Sequence, residues 1–348
     1  MSTYEGEPVA PVTRAEQLTL RVQSTGLMGE RVNTDAADVA SSDDSLAVYG
    51  IVDMRAIGIT ADAAELGQSA LDAMTHEYGR LLPVEPRGYA GRRSGRALQH
   101  AGEEVNDLCM NIPPEVMRFV GAAAVGLCFF DTPEGQSMMT YTHTGNARVY
   151  IQPHLGGKEW GFACLTLDYT TAVNNLTNAP VNSAANNQVD REVARQWQNY
   201  FAQAMQQKDI QKNDRERFGH RDRLTAGLGY GTRPVMATHV MEVHPRDQML
   251  MVSAGVSLNL TDREINDIWL ATHFRDVPQA IVHAAQERAQ DKHSYRRMLA
   301  NASAIVIRLS ARDEVVATRT GVVQASASYS EYAPPQPVKR ASLLSRHK

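Results

Sequence analysis

The order in which hydrophobic periodicity changes along this chain constrains its fold more than any single motif does. Leu18, Leu20 and Val22 alternate with Thr19, Arg21 and Gln23, the two-residue period of a half-buried strand. In the stretch 45–58, SLAVYGIVDMRAIG, an apolar, β-branched run reads as a central strand that ends on one carboxylate, Asp53. From 60 to 82 the spacing turns helical, with Ala64, Leu66, Ala70, Leu71, Met74 and Tyr78 near one face, and a second helix is predicted over 97–110, ended by Pro113-Pro114. Strands return at 118–131, 137–145, 147–153 and 160–168, with short Gly or Pro breaks that suit hairpins. An Asn-rich excursion over 169–232 carries an amphipathic helix with Val193, Trp197, Tyr200, Phe201 and Met205. Strands at 235–243 and 249–255, helices at 261–273 and 277–290, and a strand at 302–310 complete the pattern, with Thr261 and Glu264 at capping-box spacing. Runs of strands separated by pairs of helices predict an α+β sandwich, two antiparallel sheets inside and paired helices outside.

Composition narrows the rest. With 348 residues and 43% hydrophobic content the chain can bury a substantial core. Residues 1–15 read as a flexible polar arm, 16–313 as the folded domain, and 314–348 as a tail whose Ser, Ala and Pro content predicts disorder beyond about 323. A net charge of −4 offers no general attraction to nucleic acid or an anionic membrane, so neither is expected as a partner. Arg87, Arg92, Arg93 and Arg96 fall in one loop, read first as solvated and second as a site for a phosphorylated or acidic partner. Cys109, Cys128 and Cys164 have no metal-ligand spacing and read as reduced thiols. The N-terminus has no signal-peptide pattern and no window is a membrane span, so a cytoplasmic location is expected. In the tail, Ser342 follows basic residues and is a candidate for phosphorylation.

Several phrases, in order, resemble the PPM family of metal-dependent type 2C serine/threonine protein phosphatases. IVDMRAIG stands where that family has VADGMGG, and Asn33-Thr34-Asp35 where it has NED. HTGNARVYI is similar to NVGDSRAYL, LTLDYT to LTxDHS, LTAGLG to ITRALG, VHPRDQMLMVSAG to LxPGDxLLLCSDG, and ANASAIVIRL to DNxTVVVVRV. The resemblance covers about residues 17–310 and makes the excursion at 169–232 the counterpart of the family's flap. It implies a PPM-type sandwich with a binuclear Mn²⁺ or Mg²⁺ centre at one end, which needs several carboxylates because hard dications take oxygen ligands and repel each other.

Position by position, the resemblance assigns Asp53 to the bridging aspartate and Asp35 to the acid of NED, whose middle acid is Thr34. The metal-binding glycine after the bridging aspartate is Met54, followed by Arg55. The aspartate of SDG is Ala254, that of the terminal DN is Ala300, and the acid of GDSR is Asn146. Strict spacing places Glu30 at the phosphate-binding arginine, one position from Arg31, so Arg31 and Arg55 are the phosphate-binding candidates. Arg55 beside Asp53 could supply the charge that a metal would have supplied. Asp247 and Asp262 are near by sequence and are better explained by a turn and a helix start.

These substitutions predict a degenerate member: a pseudophosphatase with no catalytic residues, no metal and no cofactor, acting as a protein-binding module in phosphorylation signalling. Its partner would be a protein, such as a kinase, a phosphatase or a phosphoprotein. The alternatives are a weak phosphatase using a single Mn or Mg site on Asp35 and Asp53, and a scaffold or assembly protein unconnected with phosphate. The histidines form no HxH or HxxxH pair, and GLGYGT at 227–232 lacks the lysine of a phosphate loop.

Overall fold

The computed structural model describes residues 12–18, 26–28, 31–43, 46–58, 117–131, 136–154, 161–174, 187–229 and 236–311, together with helical residues between 67 and 107. Its strands are β1 (Val12–Leu18), β2 (Gly26–Met28), β3 (Arg31–Asp43), β4 (Leu46–Gly58), β5 (Met117–Asp131), β6 (Ser137–Thr144), β7 (Arg148–Gln152), β8 (Ala163–Cys164), β9 (Ala237–Glu242), β10 (Gln248–Val252) and β11 (Ala304–Ala311). They form two sheets, one of five strands in the order β1-β11-β10-β7-β8 and one of six in the order β2-β3-β4-β5-β6-β9. Every pairing is antiparallel. The expected α+β sandwich is therefore the fold.

The core lies between the sheets, where alternate residues of each strand meet. Tyr49, Ile51, Val125, Leu127 and Met139 of the larger sheet pack against Val149, Met249, Met251, Ile305 and Ile307 of the smaller. The opposite face of β10 and β11 is apolar too, through Leu250, Val252, Ala304 and Val306, which explains the unbroken hydrophobic runs in these strands. Helices Asp262–Ala271 and Val277–Gln290 cover that face with Ile265, Trp269, Val277, Ile281 and Ala285. On the other side, helical residues 69–74 bury Ala70, Leu71 and Met74. Gly50 leaves the room that the tips of Met74 and Leu71 fill, so a side chain there would have to displace them.

The chain crosses from one sheet to the other between β6 and β7. Gly145 makes this possible with φ of 73° and an absent side chain, because its Cβ would fall 2.6 Å from Ala123 Cα. The described residues of the excursion are folded. Helix Asn187–Gln203 packs Phe201 against Phe218, Ala172 and Ile210, and Ala122 and Leu228 exchange backbone hydrogen bonds of 3.0 and 2.9 Å that return the chain to β5.

Three predicted boundaries differ. β1 begins at Val12, inside the stretch read as an arm, because β11 supplies its hydrogen bonds and TRAEQ has too little apolar alternation to announce a strand. The strand predicted over 160–168 shrinks to Ala163–Cys164, because the Arg195 guanidinium takes the carbonyls of Cys164, Leu165 and Thr166 at 2.6–3.2 Å, in place of a further strand. The strand predicted over 249–255 stops at Val252, and Ala254–Asn259 is a short helix. Its residues are all buried, so they show none of the one-sided apolar spacing that marks a helix in sequence.

Candidate functional site

The site is assembled where the middle of β4 meets the end of β10. Asp35 and Asp53 are direct register partners across β3 and β4, so the acid of the first phrase and the acid of the second come to one place. Ala123 is the register partner of Asp53 on β5 and lies under the Gly145 turn, which brings Asn146 to the same end. Asn146 is fully buried there.

β10 leads into this end through Ser253. The Ser253 amide donates to Ser303 O at 3.0 Å, and the Ser303 amide donates to Ser253 Oγ at 3.0 Å. The two segments press so closely that a Cβ on Gly255 would lie 1.6 Å from Asn301 O. This clamp sets Ala254 over β4 and Ala300 one residue before the contact. Asp53, 2% exposed, accepts the Ala254 amide on Oδ2 at 3.1 Å. The carboxylate thus receives the first N–H of helix Ala254–Asn259, a group with no partner inside the helix, at the end where the helix dipole favours negative charge.

Among the described side chains, that donor set does not suit a pair of divalent cations. Of the positions assigned to metal ligands, Ala254 and Ala300 offer methyl groups, Asn146 a neutral amide, and Asp53 a carboxylate already holding an amide. Among the described residues no three His, Cys, Asp or Glu side chains cluster as metal ligands. The side chains of Arg31, Asp35, Met54 and Arg55 lie outside the described residues, as does the whole of Ser342, so the Arg55–Asp53 ion pair lies outside them too.

Asp247 and Asp262 do not join the site. Asp247 closes the turn before β10, accepting the amides of His244 and His154, each at 2.8 Å. Asp262 opens its helix and also enters a buried network that no sequence motif announced. There Arg148 donates from Nε and Nη2 to Asp168 at 2.9 and 2.7 Å, and from Nη1 to Asp262 at 3.0 Å. Tyr150 Oη donates to the same Asp262 oxygen at 2.8 Å. Burial works against the Arg148 charge, but Asp168, Tyr150 and Asp262 hold its pKa well above the usual value. Arg148 and Asp168 stand in the phrases NAR and LTLD, so the signal was present without its meaning.

A second missed residue is Arg296, 1% exposed and given no signal by its sequence context. Its two terminal nitrogens donate to Phe201, Ala204, Ser257 and Leu260 carbonyls at 2.8–3.0 Å. Those carbonyls lie at or just beyond the C-terminal ends of helices Asn187–Gln203 and Ala254–Asn259, where a cation is favoured. The guanidinium therefore ties the excursion to the helix that sits on Asp53. Burial lowers its pKa to about 9.

Comparison with solved structures gives this architecture its place. A PPM Ser-Thr phosphatase from Mycobacterium smegmatis, in complex with cacodylate, aligns with a TM-score of 0.55 and 18% identity, over 86% of this chain and 100% of that one. The S. agalactiae serine/threonine phosphatase aligns at 0.55 and 11%, over 83% and 98%. The catalytic domain of the phosphatase PstP in complex with 2 manganese ions aligns at 0.51 and 16%, over 84% and 97%. No protein-family model matches the chain, and no curated protein matches it in sequence. At these identities the likeness shows the fold, that of the PPM serine/threonine phosphatases.

Proposed function

We propose that this PPM-fold protein is a pseudophosphatase that acts by binding a protein partner in phosphorylation signalling. The observation that carries this reading is the hydrogen bond from the Ala254 amide to the Asp53 carboxylate at 3.1 Å. An acid whose companions are alanines at 254 and 300 lacks the neighbouring charge needed to hold two dications, and one of its oxygens already serves the backbone. Asp53 is then a structural acceptor at a helix start, and recognition belongs to the surface. The excursion, the arginine loop and the tail with Ser342 are the surfaces proposed for it.

The test is titration of the full chain with Mn²⁺ by calorimetry, alongside hydrolysis of an aryl phosphate. Neither metal binding nor turnover is expected. Binding of two ions with metal-dependent turnover would establish an enzyme instead. Restoring both carboxylates, Ala254→Asp with Ala300→Asp, should create Mn²⁺ binding that appears as a metal-dependent rise in melting temperature.

A further inference from the structure

Sheets in folded proteins have edges, and an edge strand presents unpaired backbone groups to anything that can pair with them. This sandwich has four edges, and three are managed. β8 is two residues long and Arg195 occupies the Cys164 carbonyl and the two that follow it. β2 is three residues long. β1 breaks register between Val12 and Arg14 and carries Arg14 and Glu16 by sequence. Short length, bulges, charge and cover are the usual defences of an edge.

β9 is the least defended: it has no register break, its one charge is Glu242 at its end, and among the described residues no strand pairs with its outer side. Its six residues, ATHVME, pair with β6 without a register break and include no Lys or Pro. The Val243 amide, just beyond the strand, donates to Ser137 O at 2.9 Å on β6. Residues of that parity, Ala237, His239 and Met241, therefore turn their backbone groups inwards to β6, and Thr238, Val240 and Glu242 turn theirs outwards. Among the described residues these outward groups make no backbone hydrogen bond. The same three residues are exposed, and Val240 is 50% exposed, one of the few large apolar side chains on the described surface.

We propose that β9 is a homodimerisation edge, pairing antiparallel with β9 of a second copy about a two-fold axis at Val240. The strand is complementary to itself in that register. Val240 faces Val240, and Thr238 faces Glu242 on both sides of the axis. All three outward residues then exchange both backbone hydrogen bonds with their partners. The single charge of the strand, Glu242, meets a hydroxyl residue and never its own copy, so no like charges oppose. The β-branched pair at the axis covers the exposed Val240 surface. The larger sheet of each copy continues into that of the other, an isologous contact that closes after two subunits. One strand pair buries little area, so the dimer is weak and forms with rising concentration.

Cysteine placement tests the register in the full chain with Cys109→Ser. Directly opposed hydrogen-bonded residues have Cα atoms about 5.5 Å apart, within disulfide reach. Val240→Cys should therefore give a covalent dimer on mild oxidation. Thr238→Cys should not, because its copies are offset by four residues, roughly 13 Å. Analytical ultracentrifugation of the unmodified chain from micromolar to submillimolar concentration should show the mass rising towards twice the monomer. Val240→Pro removes only an outward N–H and should abolish the rise while leaving the melting temperature nearly unchanged. A chain that stays monomeric throughout, a dimer that Val240→Pro leaves intact, or equal cross-linking at 238 and 240 would overturn the proposal. Monomers that instead pair with an added strand peptide would make β9 a docking edge for another protein and overturn the second-copy assignment.

Discussion

Asp53 and Arg148 are both charged groups delivered by sheet strands into buried surroundings, yet their neighbours differ. Arg148 retains two carboxylates and a phenol, with all its hydrogen bonds between 2.7 and 3.2 Å. Asp53 faces Ala254 and holds a backbone amide. The difference separates two tasks that one fold performs together. Charges that hold layers in register must stay as a set, because removing one strands the others in low dielectric. A lone carboxylate needs no such set when a backbone amide at a helix start satisfies it.

The largest expected effect breaks the clamp that unites the two segments beside Asp53. Gly255→Ala places a methyl group where Asn301 O already stands, and overlap of this kind with backbone should cost at least about 3 kcal/mol. Urea unfolding would register it as a lower midpoint or as failure to fold. Next comes Arg148→Met, which leaves Asp168 and Asp262 uncompensated and should cost about 3–5 kcal/mol. Arg148→Met with Asp168→Leu should recover part of that loss. If both variants were as stable as the parent, the two regions would not differ in the way described.

Acidification probes the intact region separately. His143 stacks with Tyr141 and His239, meets Tyr169 at a tilt, and bonds through Nε2 to Leu167, next to Asp168. Burial lowers its pKa to about 3, with Arg191, Arg195 and His239 acting in the same direction. The native imidazole refuses a proton that the unfolded chain accepts below about 6.5. Its contribution to stability is therefore complete above that pH and is lost as pH falls towards 3, at up to about 1.4 kcal/mol per unit. His143→Gln should flatten the decline between pH 6.5 and 5 in denaturant titrations. An unchanged slope would assign the decline to other groups, such as half-buried His239, whose pKa is also lowered by burial.

The smallest effect belongs to Asp53. Asp53→Asn keeps an acceptor for the Ala254 amide and should change stability by no more than about 1 kcal/mol, with no metal response in either protein. A loss of several kcal/mol, or a Mn²⁺-dependent melting shift present only in the parent, would mean that the Asp53 charge still works as a ligand.

Much of the fold was legible because strands and amphipathic helices announce themselves by period, and here they come in a distinctive order. The site's location was legible for a related reason: Asp35, Asp53, Asn146, Ala254 and Ala300 stand in phrases whose order survived. What failed to show was anything whose partner lies far along the chain. β1 is invisible without β11, the brevity of β8 without Arg195, and the helix at Ala254–Asn259 without the burial that removes its amphipathic signal. Arg296, bonded to carbonyls 36 to 95 positions away, looks in sequence like any basic residue.

The sequence by itself determined the sandwich, the end of it at which the acids gather, and the absence of carboxylates at 254 and 300, since periodicity and residue identity are local properties. Only the tertiary structure decided what became of Asp53, where Arg148 finds its charges, and which edge of the sheet stands open. Each of these depends on which distant backbone groups arrive within hydrogen-bond range, and no local pattern records that.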